Sequence, residues 1–524
     1  MRTIERRAWL LAVVSAVLQV VIFPLPNLYV LCWIAVAPLL IAILRARRPE
    51  TLQLEGAVKL LPATPLQGFL LGYACGILWY AGSCYWVYST MKQYGGINAS
   101  GAAGLLVLFC LYLGLYHGVF GLCVSLLAKM SERTALVLSP VLWVAIELAR
   151  TRISGFPWDL LGITQVDNIS LARIATVTGV YGLSLEIMIV NAAVAAALLL
   201  RREKRKSLLF ASLAAAVLLQ AARWIPAAQF VGDRTALLVQ ENIPVLDNTD
   251  WTRQYYDDTL ADLGKISQAP TGSQPPNLVV WPESPAPFYS GDPLFRTVLR
   301  QIATNDNTWI VAGSITVESA RSSSQQIYNS AVLVDPTGKF LERYDKVHLV
   351  PFGEYVPFKN LLSFAGGLTK EVGDFSRGSS REPLAAGDEK LGVFICYESI
   401  FPDEVRQFAK RGAQVFVNIS NDGWYGDSGA YAQHLKQARM RAMENSRWLL
   451  RTTNTGVTAA IDPEGRIVQR VPRKIRTVLR ASYALESATT FYTRHGDWLA
   501  YGCAIISLGA ILAALTPGKG RRQA

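Results

Sequence analysis

Three strand-like stretches of the chain are each followed by a side chain that can take part in acyl transfer. The run Val-Val-Trp-Pro-Glu-Ser carries Glu283, the run Tyr-Asp-Lys-Val-His carries Lys346, and the run Gly-Val-Phe-Ile-Cys-Tyr-Glu-Ser carries Cys396. Ligands of α/β sheets bind at the carboxyl ends of strands. The sequence therefore predicts that these three side chains meet at one edge of a sheet.

A glutamate, a lysine and a cysteine at one site would form a device for nucleophilic catalysis. The carboxylate would act as general base for the thiol, the thiolate would attack an acyl carbon, and the ammonium would stabilise the oxyanion of the tetrahedral intermediate. Each residue alone also has a structural explanation. Glu283 could cap a following helix, Lys346 could lie in solvent, and Cys396 could be a packed core residue.

Other catalytic and cofactor motifs are absent from the sequence. It has no glycine-rich phosphate loop, no spacing typical of metal ligands and no G-x-S-x-G turn, and its four histidines are scattered. We therefore expect no metal and no cofactor. Cys396 is the one cysteine of the polar part of the chain, because the other six lie in apolar segments, so it has no disulfide partner there.

The elements that must position these residues follow from the pattern of residues 227–498. Short β-branched and aromatic runs predict strands, and they alternate with runs that predict helices. Asp292 followed by Pro293 predicts a helix start, and turns at 335–338 and 462–465 predict hairpins. This alternation is typical of an α/β layered domain. The predicted strands are 235–240, 277–281, 309–315, 328–334, 390–396, 414–418, 449–453 and 457–462, and the predicted helices are 252–267, 292–304, 402–411 and 429–446.

The rest of the chain is too apolar for a soluble domain. Of the 524 residues 51% are hydrophobic and 17% are charged, whereas about a quarter are charged in a typical soluble domain. Apolar segments near or above the roughly 20 residues that cross a bilayer predict a membrane α-helical bundle of about eight spans. These segments are 8–24, 28–45, 66–89, 102–128, 135–149, 170–200, 207–226 and 499–515.

The formal net charge of +12 would suggest a nucleic-acid-binding protein, but the distribution of the charge excludes that class. Residues 227–498 hold 29 basic and 30 acidic residues, so the excess lies in the two flanks. With eight spans, 17 of the 22 basic flank residues fall on one side, which the positive-inside rule makes cytoplasmic. We therefore expect seven transmembrane helices in 1–226, an extracytoplasmic catalytic domain in 227–498, and a last span with a basic cytoplasmic tail in 499–524.

The three motifs resemble those of the nitrilase superfamily, whose members carry a Glu–Lys–Cys triad on an αββα sandwich. Glu283, Lys346 and Cys396 match the triad positions. The runs PFGEYVP, CYES and NISNDGWYG, together with the flanking spans, resemble the family of apolipoprotein N-acyltransferases of the bacterial inner membrane. The resemblance covers essentially the whole chain, and it favours the catalytic interpretation of the three residues over their separate structural explanations.

This resemblance implies a two-step transfer through a thioester on Cys396. The donor would be the sn-1 acyl chain of a phospholipid, usually phosphatidylethanolamine in this family. The acceptor would be the α-amine of the diacylglyceryl-cysteine at the N-terminus of an apolipoprotein. Glu283 would move the protons, and Lys346 would stabilise the oxyanion. Glu354, Tyr397, Glu398 and Asn329 match positions that support the triad in this family. Trp424, Tyr425 (more often Phe in the family) and Trp251 match positions in loops that contact the lipid or substrate.

The implied setting is a multi-pass protein of the bacterial inner membrane with its catalytic domain on the periplasmic side. It would work as a monomer on a phospholipid and a lipoprotein, without nucleic acid. An alternative is a membrane-tethered nitrilase-type amidohydrolase, in which water replaces the amine. A non-enzymatic alternative is a transporter or receptor whose outer domain only binds a ligand.

Overall fold

The computed structural model describes residues 3–49, 60–200, 202–224, 228–245, 251–268, 274–284, 286–319, 325–355 and 375–516. These residues form two compact units. The helical unit is drawn from residues 1–88, 103–226 and 497–524, and the second unit from residues 89–102 and 227–496. Residues 90–101, which the sequence places between two predicted spans, thus belong to the second unit.

The helical unit contains four helices that are long and apolar enough to cross a membrane, among the residues described. They are Ala99–Ala128, Glu132–Ser154, Val180–Leu199 and Trp498–Leu515. The total of eight spans stays a prediction. Among the residues described, the α-helices that include residues of this unit are α1 (Arg6–Val21), α2 (Cys32–Ala35), α3 (Ala37–Leu44), α4 (Pro65–Ser83), α5 (Trp86–Gln93), α6 (Ala99–Ala128), α7 (Glu132–Ala149), α8 (Ile169–Ala172), α9 (Ala175–Thr178), α10 (Val180–Leu199), α11 (Arg202–Leu219) and α17 (Trp498–Leu515).

Two predicted spans are interrupted in the structure. The segment 66–89 divides where α4 ends at Ser83 and α5 begins at Trp86. The segment 170–200 divides at Gly179, whose φ of 63° separates α9 from α10. A left-handed backbone cannot continue a right-handed helix, and glycine adopts it without a steric penalty.

Helix α4 begins at a capping box and packs closely on α6. Thr64 Oγ1 accepts a hydrogen bond from the Gln67 amide, and Gln67 Oε1 accepts one from the Thr64 amide. A Cβ atom added to Gly72 would lie 2.1 Å from the His117 carbonyl oxygen of α6, and one added to Gly121 would lie 2.1 Å from that of Gly68. The small residues of both helices therefore allow their backbones to approach.

The second unit contains two six-stranded sheets. Sheet 1 has the order β12-β1-β2-β3-β4-β5 and sheet 2 has the order β11-β10-β9-β8-β7-β6. In sheet 1 the neighbours β1, β2 and β3 are parallel, as are β7, β8 and β9 in sheet 2. The strands are β1 (Arg234–Gln240), β2 (Leu278–Val280), β3 (Trp309–Ser319), β4 (Gln325–Val334), β5 (Phe340–Asp345), β6 (Leu384–Ala386), β7 (Glu389–Ile395), β8 (Val415–Ser420), β9 (Leu449–Thr453), β10 (Ala459–Ile461), β11 (Ile467–Arg470) and β12 (Thr477–Tyr483).

Alternating side chains of the strands build two cores. Ala236 and Leu238 of β1 face a core shared with sheet 2, whereas Leu237 and Val239 face a core shared with helices. The layer order is thus helices, sheet 1, sheet 2, helices, which confirms the predicted αββα sandwich. The helices of this unit are α12 (Arg253–Gln268), α13 (Pro293–Asp306), α14 (Pro402–Lys410), α15 (Ala430–Asn445) and α16 (Phe491–His495).

The local turn and cap predictions for this unit are confirmed. Asp292 caps α13 by accepting from the Phe295 amide, and both predicted turns join antiparallel strands, β4 to β5 and β10 to β11. Strands β5, β6, β11 and β12 have no counterpart in the sequence prediction. Two of these strands lack the usual sequence pattern. In β5 buried and exposed residues do not alternate, since Tyr344 is its single buried residue, and β6 has only three residues.

Candidate active site

Two buried carboxylates share one buried ammonium at the ends of strands in sheet 1. Lys346, which directly follows β5, places Nζ 3.2 Å from Glu283 Oε1 and 2.9 Å from Glu354 Oε1. Asn329 of β4 donates through Nδ2 to the same two oxygens, at 2.8 Å each. Lys346 is only 1% exposed. The four side chains therefore form one hydrogen-bonded cluster, in which Lys346 and both carboxylates are buried.

Backbone amides fix the orientation of both carboxylates in this cluster. The second oxygen of Glu283 accepts from the amide of Asn421, at 2.7 Å, and that of Glu354 accepts from the amide of Val350, at 2.8 Å. Hydrogen bonds from charged and neutral donors on both oxygens leave each carboxylate little rotational freedom.

The charge of Lys346 is maintained despite its burial. Burial by itself lowers a lysine pKa because it disfavours the ammonium. Here the attraction of Glu283 and Glu354 outweighs burial, and the pKa of Lys346 lies well above its usual range. The residue is therefore a fixed positive charge at neutral pH, which is the property that oxyanion stabilisation requires.

Cys396 begins a turn, residues Cys396–Ile400, that follows β7 and is buried throughout. The φ angle of Cys396 is 49°, a left-handed conformation that is uncommon for residues other than glycine. Burial, followed by the charge of Glu283, raises the pKa of the Cys396 thiol, and the opposing influence of Lys346 does not cancel this effect. The resting thiol is therefore protonated, and it needs a base before it can act as a nucleophile.

Glu398 joins the segment that contains Lys346 to the turn that contains Cys396. Its Oε1 accepts from Tyr344 Oη and the Val347 amide, each at 2.7 Å, and from the His348 amide at 3.0 Å. Its Oε2 accepts from the Ile395 amide at 2.7 Å. A buried carboxylate with four donors thus fixes two separate strand ends with respect to each other.

The remaining predicted residues lie in three places. Tyr397 is buried, and its ring packs edge-on against Phe401, with centroids 5.2 Å apart. Tyr425 contacts His434 edge-on, with ring centroids 5.7 Å apart, and burial together with the nearby Cys396 raises its pKa well above the usual range. Trp251 packs against Tyr255 and borders the core between sheet 1 and its helices.

The loop after β8 is held by residues of the 89–102 segment. Thr90 Oγ1 donates to the Trp424 carbonyl oxygen at 3.0 Å, and the Tyr94 ring meets the Trp424 ring edge-on at 5.4 Å. The same loop supplies the Asn421 amide that binds Glu283. Sequence reasoning missed Thr90 and Tyr94, because they precede Trp424 by more than 300 residues and belong to a segment that it assigned to a loop between spans.

Sequence reasoning also missed Asn421, His434 and Arg451. Asn421 lies inside the run NISNDGWYG, so its motif was found without its role. Arg451 carries a usable signal, because a charged residue that follows Leu449 and Leu450 in a predicted strand needs a partner if the strand is buried. In the part of the chain that is described, no cluster of His, Cys, Asp and Glu side chains is arranged to hold a metal ion.

Known protein families match both parts of the chain. The Carbon-nitrogen hydrolase family matches residues 238–492, and the Apolipoprotein N-acyltransferase N-terminal domain matches residues 15–193. A relative named apolipoprotein N-acyltransferase, from Geobacter metallireducens, is 34% identical over 98% of this chain and 96% of its own length. Relatives of the same name from Ralstonia nicotianae and Vibrio parahaemolyticus are 34% and 31% identical, over 84% and 87% of this chain and 84% and 90% of their own lengths. Both the near-complete coverage and the two matched families show that this chain belongs to the apolipoprotein N-acyltransferase family.

Proposed function

We propose that this protein moves the sn-1 acyl chain of a phospholipid onto the α-amine of the diacylglyceryl-cysteine of an apolipoprotein. The observation that carries the proposal is the buried cluster of Glu283, Lys346 and Glu354, two of whose charges, Glu283 and Lys346, act on the buried Cys396 thiol. In a chain of this family, such a cluster supplies a base, a fixed cation and a nucleophile. All of these groups lie on one chain, and we propose a monomer.

In the first step, Glu283 takes the proton of the Cys396 thiol, and the thiolate attacks the ester carbon of the donor. The Lys346 ammonium stabilises the oxyanion that forms. When the intermediate collapses, the bond to the glycerol oxygen breaks, and Glu283 returns its proton to that oxygen. The products are a thioester on Cys396 and a lysophospholipid. The ester is already activated for transfer, so the reaction needs no nucleotide.

In the second step, the α-amine of the lipoprotein attacks the thioester carbon. Glu283 accepts a proton from the amine, and Lys346 again stabilises the oxyanion. Collapse of the intermediate breaks the carbon–sulfur bond, forms the amide and leaves Cys396 as a thiolate that recovers the proton. Within the cluster, Glu354 binds Lys346 and Asn329 binds Glu283, and these contacts would keep Lys346 and Glu283 aligned in both steps.

A membrane location explains how two lipids can meet one thiol. Both substrates keep acyl chains in the bilayer, and transferring a chain into water costs about 0.8 kcal/mol per CH₂. An enzyme with apolar spanning helices avoids this cost. We propose the bacterial inner membrane as the location, the periplasmic side for the catalytic domain, and phosphatidylethanolamine as the donor. The basic residues of the flanks support this orientation.

Labelling with a membrane-impermeant maleimide tests the orientation. We expect a cysteine at the exposed turn residue Lys339 (Lys339→Cys) to react in intact cells whose outer membrane is permeabilised. A cysteine at Ser207, in the helical unit, should react only after the inner membrane is broken. The seven native cysteines are buried, which keeps the background low. The reverse pattern would place the catalytic domain in the cytoplasm.

A transfer assay tests the activity itself. We expect the purified protein, given phosphatidylethanolamine and a synthetic diacylglyceryl lipopeptide with a free α-amine, to raise the peptide mass by one acyl chain. An equal amount of lysophospholipid should appear. An acetylated lipopeptide is the matched control, because it lacks the attacking amine. Free fatty acid with an unchanged peptide mass would instead favour hydrolysis, as in the amidohydrolase alternative.

A further inference from the structure

Helix α15 holds the Cys396 turn from one side. His434 Nε2 lies 3.0 Å from the Cys396 carbonyl oxygen and 2.8 Å from Ser399 Oγ. About two helical turns further along α15, Arg441 Nη1 donates to the Ile400 carbonyl oxygen at 3.2 Å. His434, Ser399 and Arg441 are all fully buried. The first and last carbonyl groups of the turn thus bind the same helix.

The other side of the His434 ring faces a buried ion pair. Nδ1 lies 3.0 Å from Asp422 Oδ1 and 3.1 Å from Arg451 Nη2. Arg451 Nη2 also donates to Asp422 Oδ2 at 2.9 Å, and Arg451 Nη1 donates to the side-chain oxygen of Asn418. Ser420 Oγ donates to Asp422 Oδ1 at 2.8 Å. The imidazole is therefore held on both sides by groups of sheet 2 and its loops.

These contacts determine where the proton of His434 lies. A carbonyl oxygen can only accept, so Nε2 carries hydrogen and donates to Cys396. Burial, followed by the charge of Arg451, lowers the pKa of His434. At Nδ1 the Asp422 carboxylate can only accept and the Arg451 guanidinium can only donate, so these two groups do not change the requirement for hydrogen at Nε2. Burial alone would raise the pKa of Asp422, but Arg451 and His434 outweigh it and keep the pKa low, so Asp422 balances the guanidinium.

We propose that His434 is a positioning residue for the Cys396 nucleophile, and that Asp422 and Arg451 hold its ring in place. The inference deepens the proposed function and rests on it. Cys396 has the left-handed φ of 49°, which its own side chain does not favour. The Nε2–H bond to its carbonyl oxygen holds this conformation. Without that bond the turn can relax, and Sγ moves away from Glu283 and Lys346.

A different interpretation of the same contacts is a Ser–His–Asp nucleophile made of Ser399, His434 and Asp422. In such a set, Nε2 must be free to accept the serine proton. Here Nε2 faces the Cys396 carbonyl oxygen, and it cannot accept while it donates. The geometry therefore assigns His434 to the backbone of Cys396 rather than to the hydroxyl of Ser399.

The rate at which iodoacetamide labels Cys396 in the full-length protein tests the proposal, with peptide mapping to separate Cys396 from other cysteines. We expect His434→Met, which fills the space without a donor, to slow both labelling and transfer about tenfold or more. His434→Gln, which keeps a donor that can reach the carbonyl oxygen, should restore most of both rates. If His434→Met only loosened the structure, labelling of Cys396 would become faster, because a loosened site exposes its thiol.

Gln437→Met is the matched control, because Gln437 is buried on the same helix and makes no side-chain hydrogen bond among the described residues. If His434→Met does not fold, His434→Asn replaces it, because its shorter amide keeps the polar neighbours but cannot reach Cys396.

Labelling and transfer within twofold of the control would overturn the proposal, as would loss of transfer in Ser399→Ala with unchanged labelling. Labelling needs no lipid, so a wild-type protein that labels normally but transfers nothing would refute the proposed function and not the role of His434.

Discussion

Cys396→Ser is expected to lose transfer by about a thousandfold or more, which corresponds to about 4 kcal/mol of transition-state stabilisation. A hydroxyl at this position is a much weaker nucleophile than a thiolate, and a carboxylate such as Glu283 is too weak a base to ionise it. The measurement is the initial rate of lipopeptide acylation in detergent with phosphatidylethanolamine. Wild-type protein incubated with donor alone should carry one acyl chain on Cys396, and hydroxylamine should release it.

Cys110→Ser is the matched control for this substitution, because Cys110 is also buried but lies in α6 of the helical unit. It should keep the wild-type rate. Transfer by Cys396→Ala at more than a few per cent of the wild-type rate would disprove the thioester mechanism. An acyl group found on a different residue of the wild-type protein would disprove it as well.

Lys346→Met should reduce both activity and stability. Loss of the ammonium removes the oxyanion contact, for which a rate loss of roughly 10²–10³-fold is typical. It also leaves Glu283 and Glu354 buried side by side without a cation, and breaking such a buried pair costs about 3–5 kcal/mol of unfolding free energy. The two losses can be measured separately, by the transfer rate and by denaturation in detergent.

The second substitution Glu354→Gln separates these two effects. Lys346→Met with Glu354→Gln should regain stability, because only one carboxylate then remains, but it should not regain activity. Lys339→Met, at an exposed lysine, is the control and should change neither. Equal recovery of activity and stability in the double variant would show that Lys346 serves the fold alone.

The pH dependence of the unfolding free energy also tests the charge of Lys346. The folded state raises the pKa of Lys346. The ammonium therefore contributes fully to the unfolding free energy below the ordinary lysine pKa of about 10.4, and this contribution disappears as the pH rises through the folded pKa. The Lys346→Met protein should behave differently. Its stability deficit relative to the wild type should shrink as the pH rises through the folded value, because the wild type loses the ammonium there.

Much of the sandwich could be predicted because its determinants are local. The apolar runs around β1, β7 and β9, the Asp292 cap and the two Asp-Pro-x-Gly turns act within a few residues of their own positions. Strand β12 escaped prediction because what holds it is distant: it pairs with β1, about 240 residues earlier in the chain. Sequence periodicity carries no information about such a partner.

The residues of the candidate site also divide into those with a local sequence signal and those that depend on distant partners. Glu283, Lys346 and Cys396 each lie in a recognisable motif, and their catalytic roles stay predictions until the substitutions above are measured. Helix α15 was found as a helix, but its sequence is rich in polar residues and suggests an exposed face. His434 and Arg441 are nevertheless buried, because their side chains bind carbonyl groups of the Cys396 turn. A pattern of polarity along one helix cannot reveal partners that only the fold supplies.

The burial of the Cys396 turn also bears on the timing of the reaction. Cys396 is 6% exposed, so the proposed attack on a phospholipid ester requires covering atoms to move aside. The proposed cycle requires such an opening for the donor, and a second exchange when the lysophospholipid leaves and the lipoprotein arrives. Turnover can therefore be no faster than the frequency of these openings, and a variant that opens more often would gain speed while exposing its thioester to water.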